Sequence, residues 1–96
     1  MQVIISEINS YVQKRGGCYQ DWYIGIASDP RQRLFVDHKV KINEDFWIFR
    51  EAIDSEEARM IEKFFIDKLV TSGGSGGGDH TTKFVYAYKK TSFTIE

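Results

Sequence analysis

Apolar and polar positions alternate along this chain in two rhythms, one helical and one strand-like. Over residues 3–14, Ile4, Ile8 and Tyr11 or Val12 recur at helical spacing, which predicts an amphipathic helix ended by Gly16-Gly17. Residues 22–27, "WYIGIA", read as a strand. Asp29 then stands as an N-cap and Pro30 as the first residue of a helix reaching about Lys39. "FWIFREA", 46–52, is a second strand with apolar residues on both parities, so both of its faces are expected to be covered. Asp54-Ser55-Glu56-Glu57 resembles a capping box with an acidic N-cap, opening a helix to about Leu69. "KFVYAYKK", 83–90, is a third strand with Phe84, Tyr86 and Tyr88 on one face.

These elements predict an α+β fold: a small three-stranded sheet, mostly antiparallel, flanked by helices in the order α-β-α-β-α-β. With 96 residues, the whole of 1–96 is expected to be a single domain. The stretch "TSGGSGGGDHTT", 71–82, is expected to be a flexible connector or a lid over a site. It lacks the Gly-Lys-Ser/Thr ending of a phosphate-binding loop.

A net charge of −1 means that any nucleic-acid binding must come from a local basic face. Lys39, Lys41, Lys83, Lys89 and Lys90 could form such a rim if the Arg33 helix and the last strand are neighbours. The one cysteine, Cys18, excludes an internal disulfide and fits a reducing compartment. Glu7 interrupts the apolar N-terminal residues, so neither a signal peptide nor a membrane span is expected, and a cytoplasmic location is.

Three positions depart from a plain core pattern. On the first strand Tyr23, Gly25 and Ala27 share a face, which leaves a recess beside the tyrosine hydroxyl. The recess suits either an approaching ligand or a packed helix. Arg31 and Arg33 follow; Arg33 can pair with Asp37 one turn on, or both arginines can meet an anion near the helix start. Glu62 falls at about 40° on a helical wheel centred on Ala58, inside the apolar arc of Ile61, Phe65, Ile66 and Leu69. A carboxylate there is costly unless it binds a metal or pairs with a buried arginine.

The stretch "YIGIASDPRQRLFVDH" resembles the second half of the signature of the GIY-YIG nuclease superfamily, and "SEEARMIEKFFI" resembles that family's glutamate helix. The resemblance covers roughly residues 22–69. The strand carrying the first half of the signature is missing before Tyr23, where Gly17-Cys18-Tyr19 is a poor substitute. The last strand, "FVYAY", is expected to take its place beside the Tyr23 strand, as in a circular permutation, with Tyr86 or Tyr88 standing in for the first tyrosine.

The resemblance implies hydrolysis of nucleic-acid phosphodiesters, with DNA expected ahead of RNA. Glu62 would bind Mg²⁺ or Mn²⁺. Arg33, helped by Arg31, would stabilise the phosphoryl group, and Tyr23 or Tyr86 would take a proton from the attacking water. His38 would hydrogen-bond that tyrosine or the phosphate, unless it merely packs over Leu34. Gly25 and Tyr88 would line the substrate side. The alternative expectation is an inactive module on the same fold that binds nucleic acid or a protein.

Overall fold

The computed structural model describes residues 1–73 and 81–96. Helix α1 spans Gln2–Lys14, strand β1 Trp22–Ala27, strand β2 Trp47–Glu51, helix α2 Ser55–Lys68 and strand β3 Phe84–Lys89. The three strands form one sheet in the order β1-β3-β2, with β3 antiparallel to both neighbours. The last strand in sequence is thus the central one. Most of the expected Gly-rich connector, residues 74–80, lies outside the described residues. Its first part is not a free connector, because the Ser72 N–H donates to the Trp22 carbonyl and the Ile24 N–H to the Ser72 carbonyl, both at 2.9 Å.

Strand parity separates the two faces of the sheet. Trp22 and Ile24 of β1, Ile48 of β2, and Val85 and Ala87 of β3 point to one side. There they meet Ile4, Ile8 and Val12 of α1 and Ala58, Ile61 and Phe65 of α2, all buried. The helical spacing of those residues explains why both helices lie on this face. The other face carries Tyr86 and Tyr88, packed with Ala27, Leu34 and Val40, and bordered by Tyr23, Phe35, Trp47 and Phe49. β2 is an edge strand whose Ile48 is buried while Arg50 and Glu51 reach solvent.

Capping explains where α2 starts. The Asp54 carboxylate accepts from the Glu57 N–H at 2.9 Å, and Glu57 reaches back to the Ile53 N–H at 3.1 Å, one residue beyond the position a capping box uses. Glu57 also pairs with the N-terminal amine at 3.2 Å. The Ile53 N–H bond, aided by that amine, lowers the Glu57 pKa.

The helix expected from Pro30 to about Lys39 is shorter and wider. Asp29 does cap it, accepting from the Gln32 N–H at 3.2 Å, but Gln32–Asp37 form a π turn. The His38 N–H donates to the Arg33 carbonyl, five residues back, at 2.9 Å. Lys39 then adopts φ 61°, and the Val40 N–H turns back to the Leu34 carbonyl. A left-handed residue ends a helix because its N–H no longer points along the axis.

Candidate functional site

The site assembles on the aromatic face, around the hydroxyl of Tyr86. Register places Gly25 opposite Tyr86 and Tyr23 opposite Tyr88. The recess expected beside Tyr23 is therefore filled, and its occupant is the Tyr86 ring. A Cβ built on Gly25 would lie 2.5 Å from the Tyr86 Cζ and hydroxyl oxygen. Gly25 is glycine because a side chain crosses it, not because a helix or another backbone does.

His38 is buried at 3% exposure, and both ring nitrogens are engaged. Nε2 lies 2.8 Å from the Tyr86 hydroxyl, and Nδ1 lies 2.7 Å from the Ile95 carbonyl and 3.1 Å from the Tyr88 hydroxyl. A carbonyl oxygen only accepts, so Nδ1 carries the proton in the neutral ring. Nε2 then accepts, and Tyr86 donates to it. Burial lowers the His38 pKa and favours this neutral form, with Ile95 opposing and Arg33 adding to the shift. His38 does not merely pack over Leu34; it holds the hydroxyl of Tyr86.

The π turn brings Arg33 to the same hydroxyl. In an α-helix residues five apart point about 140° away from each other. The wider turn lets Arg33 and His38 serve one point, a local irregularity of the kind often found at functional sites. The Tyr86 hydroxyl is the largest influence on the Arg33 pKa and raises it. Arg33 also pairs with Asp37 at 3.6 Å, with both side chains largely in solvent. Burial pushes the Tyr86 pKa up to about 12, against the pull of Arg33. Burial likewise raises the Tyr88 pKa. Neither tyrosine is poised to ionise near neutral pH.

Tyr23 stacks alongside, with its ring centroid 4.7 Å from His38, 5.2 Å from Tyr88 and 6.3 Å from Tyr86. Glu62 approaches from α2, near enough that its charge raises the Tyr86 pKa. Glu62 is only 5% exposed, and burial lifts its pKa from 4.5 to about 7, opposed by Arg59. No hydrogen bond supports its carboxylate among the described residues. A buried carboxylate of this kind suits a single-carboxylate site completed by water for a hard divalent ion. No group of three or more His, Cys, Asp or Glu side chains gathers among the described residues.

Other expected members lie apart. The Arg31 guanidinium sits 5.3 Å over the ring of Phe49, on the β2 side of the face. The lysines do not form one rim: Lys41 pairs with Glu44, Lys83 with Glu51, Lys89 donates to the Arg15 carbonyl and Lys90 to the Ser72 hydroxyl. Ile95 had no signal in the sequence, since its contribution is a backbone carbonyl that any residue carries. No helix among the described residues is long and apolar enough to cross a membrane. The chain matches no protein-family model, no curated protein and no solved structure.

Proposed function

We propose that this chain is a permuted, GIY-YIG-type nuclease domain that hydrolyses nucleic-acid phosphodiesters, DNA ahead of RNA, using Mg²⁺ or Mn²⁺. One observation carries the reading: side chains from three separate elements act on the Tyr86 hydroxyl. His38 bonds it, Arg33 bears on it, the Glu62 charge reaches it, and the Tyr23 ring stacks beside the Tyr86 ring. The central position of β3, with Tyr86 against Gly25, supports Tyr86 rather than Tyr88 as the stand-in for the missing first tyrosine.

The chemistry follows from the hydrogen-bond directions. The Tyr86 oxygen receives a proton from the attacking water while its own proton passes to His38 Nε2. No tyrosinate forms, so a pKa of about 12 is no obstacle. The water oxygen bonds to phosphorus, the bond from phosphorus to the leaving oxygen breaks, and that oxygen takes a proton from solvent; His38 Nε2 then returns its proton to Tyr86, which passes one to solvent and restores the neutral ring. Arg33 stabilises the charge on the phosphoryl oxygens. Glu62 would hold the divalent ion, which when bound supplies Lewis-acid stabilisation of that same charge. Tyr23 lies tilted against His38 and helps keep its ring in place.

Incubating the protein with single-stranded, duplex and branched DNA, and with RNA, in Mg²⁺ or Mn²⁺ tests the reading. Nicking that disappears in Glu62→Gln is the expected result. The alternative reading is an inactive nucleic-acid-binding or protein-interaction module on the same fold. Binding of a substrate with no cleavage of any would select it.

A further inference from the structure

The seven residues after β3 contain no apolar period and no charge cluster, yet they reach the centre of the site. Thr91 and Thr94 close a small turn, with the Thr91 N–H donating to the Thr94 hydroxyl at 2.9 Å. That turn aims Ile95 back at His38. Two bonds then clasp the same residue: the Ile95 N–H donates to the His38 carbonyl at 2.8 Å, and His38 Nδ1–H donates to the Ile95 carbonyl at 2.7 Å. The Tyr88 hydroxyl joins from the sheet, 3.4 Å from the same carbonyl. The Ile95 side chain is 55% exposed, so packing of the side chain does not explain why the segment lies here.

We propose that this segment is a positioning element: the Ile95 carbonyl holds His38 as the Nδ1–H tautomer, which leaves Nε2 free to receive the proton of Tyr86. The opposite tautomer would set two donors, Nε2–H and the Tyr86 hydroxyl, against each other across 2.8 Å, and would leave the Ile95 carbonyl facing a bare Nδ1. Either the hydroxyl turns away or the ring does. In both cases Tyr86 loses the partner that takes its proton. The inference rests on the nuclease reading for its catalytic meaning, but the tautomer is a property of the protein without substrate. Around metal-bound histidines, a group that sets the ring's tautomer is worth roughly 10–100-fold, which serves here as the scale of the effect.

The test is a two-dimensional nitrogen–proton spectrum of the histidine rings in the full chain near neutral pH. His38 is assigned by comparison with His38→Gln. Wild type should show a protonated Nδ1 and an unprotonated Nε2; the reverse pattern overturns the proposal at once. Ile95→Pro, which removes the Ile95 N–H, should shift His38 toward the Nε2–H form and lower cleavage roughly 10–100-fold with KM little changed. Thr94→Val loosens the turn without touching His38, decides the matter if Ile95→Pro does not fold, and should move the spectrum the same way. Wild-type ring signals retained in both folded variants would sink the proposal. If the protein cuts nothing while the tautomer behaves as stated, the nuclease reading fails and the clasp stands.

Discussion

The ring of Tyr86 lies across the backbone of Gly25, its partner on the neighbouring strand, and the hydroxyl extends past that strand toward His38. Any Cβ at position 25 would occupy the space of the hydroxyl itself. Gly25→Ala is therefore expected to push Tyr86 off His38. Overpacking of this kind costs about 1–3 kcal/mol. Urea unfolding should show the loss, and the histidine ring spectrum should show His38 released; an unchanged spectrum would mean the ring swings aside at no cost.

Tyr86→Phe keeps the ring and deletes the hydroxyl. His38 Nε2 then has no donor in a buried setting, which costs about 1–3 kcal/mol. Cleavage should vanish. Tyr88→Phe removes a hydroxyl that meets Nδ1 and the Ile95 carbonyl rather than Nε2, so it should retain most activity. Equal losses in the two variants, measured as single-turnover rates, would place the chemistry elsewhere.

Glu62 should leave a signature in the pH dependence of stability. Its carboxyl titrates at 4.5 when unfolded and at about 7 when folded. Below 4.5 both states hold the proton. Between 4.5 and 7 the unfolded chain gives it up first, so stability falls as pH rises and levels off above 7. Glu62→Gln lacks that fall. It should match wild type at about pH 4 and exceed it at about pH 8, by roughly 1–3 kcal/mol after allowing for partial solvent screening. The same variant should lose all metal-dependent cleavage, and in wild type Mn²⁺ should broaden amide signals around Glu62. A Gln variant that is less stable at both pH values would point instead to a buried ion pair.

Arg33→Ala should slow cleavage about 10²–10³-fold, the usual cost of removing one group that stabilises charge in a transition state. Folding should hardly notice, because the pair with Asp37 is exposed and such pairs contribute about 0.5 kcal/mol or less. Thermal melts and rates measured on the same preparation separate the two effects.

Glu57→Gln serves as a carboxylate control on the same helix. It gives up the pairing with the N-terminal amine and weakens the contact with Ile53. A slightly lower melting temperature with unchanged cleavage is the expected pair of results. A rate loss equal to that of Glu62→Gln would mean that stability rather than chemistry was being read.

Much of the site was legible because several residues break a local rule. A glycine inside a strand, and a carboxylate inside the apolar arc of α2, each announce a neighbour that the segment itself does not contain. Sequence spacing named Gly25 and Glu62, but could not say that the neighbour of Gly25 is a tyrosine ring some sixty positions later. The π turn was not legible, since Pro30 to Lys39 carry ordinary helix signals. Packing of Leu34 and Val40 with the sheet tyrosines and the bonds from His38 to Tyr86 and Ile95 come from tertiary structure. Ile95 left no trace for a simpler reason: a main-chain carbonyl has no identity in a sequence. The lysines misled in the opposite direction, because their partners are scattered over several elements.

The position of β3 has a consequence for biosynthesis. β1 and β2 never touch as ladder partners; apart from the Ser72 bridge on β1, the ladder bonds of each come from the strand that leaves the ribosome after both. Until Phe84–Lys89 emerge, the nascent chain carries two strands with unsatisfied edges and an uncovered aromatic surface. Helices α1 and α2 can form in that interval, since their bonds are local, but the sheet cannot. A ribosome stalled between α2 and β3 would therefore present a sticky, sheet-competent intermediate. Release of soluble protein should depend on completing those last strand residues, whatever the stability of the finished fold.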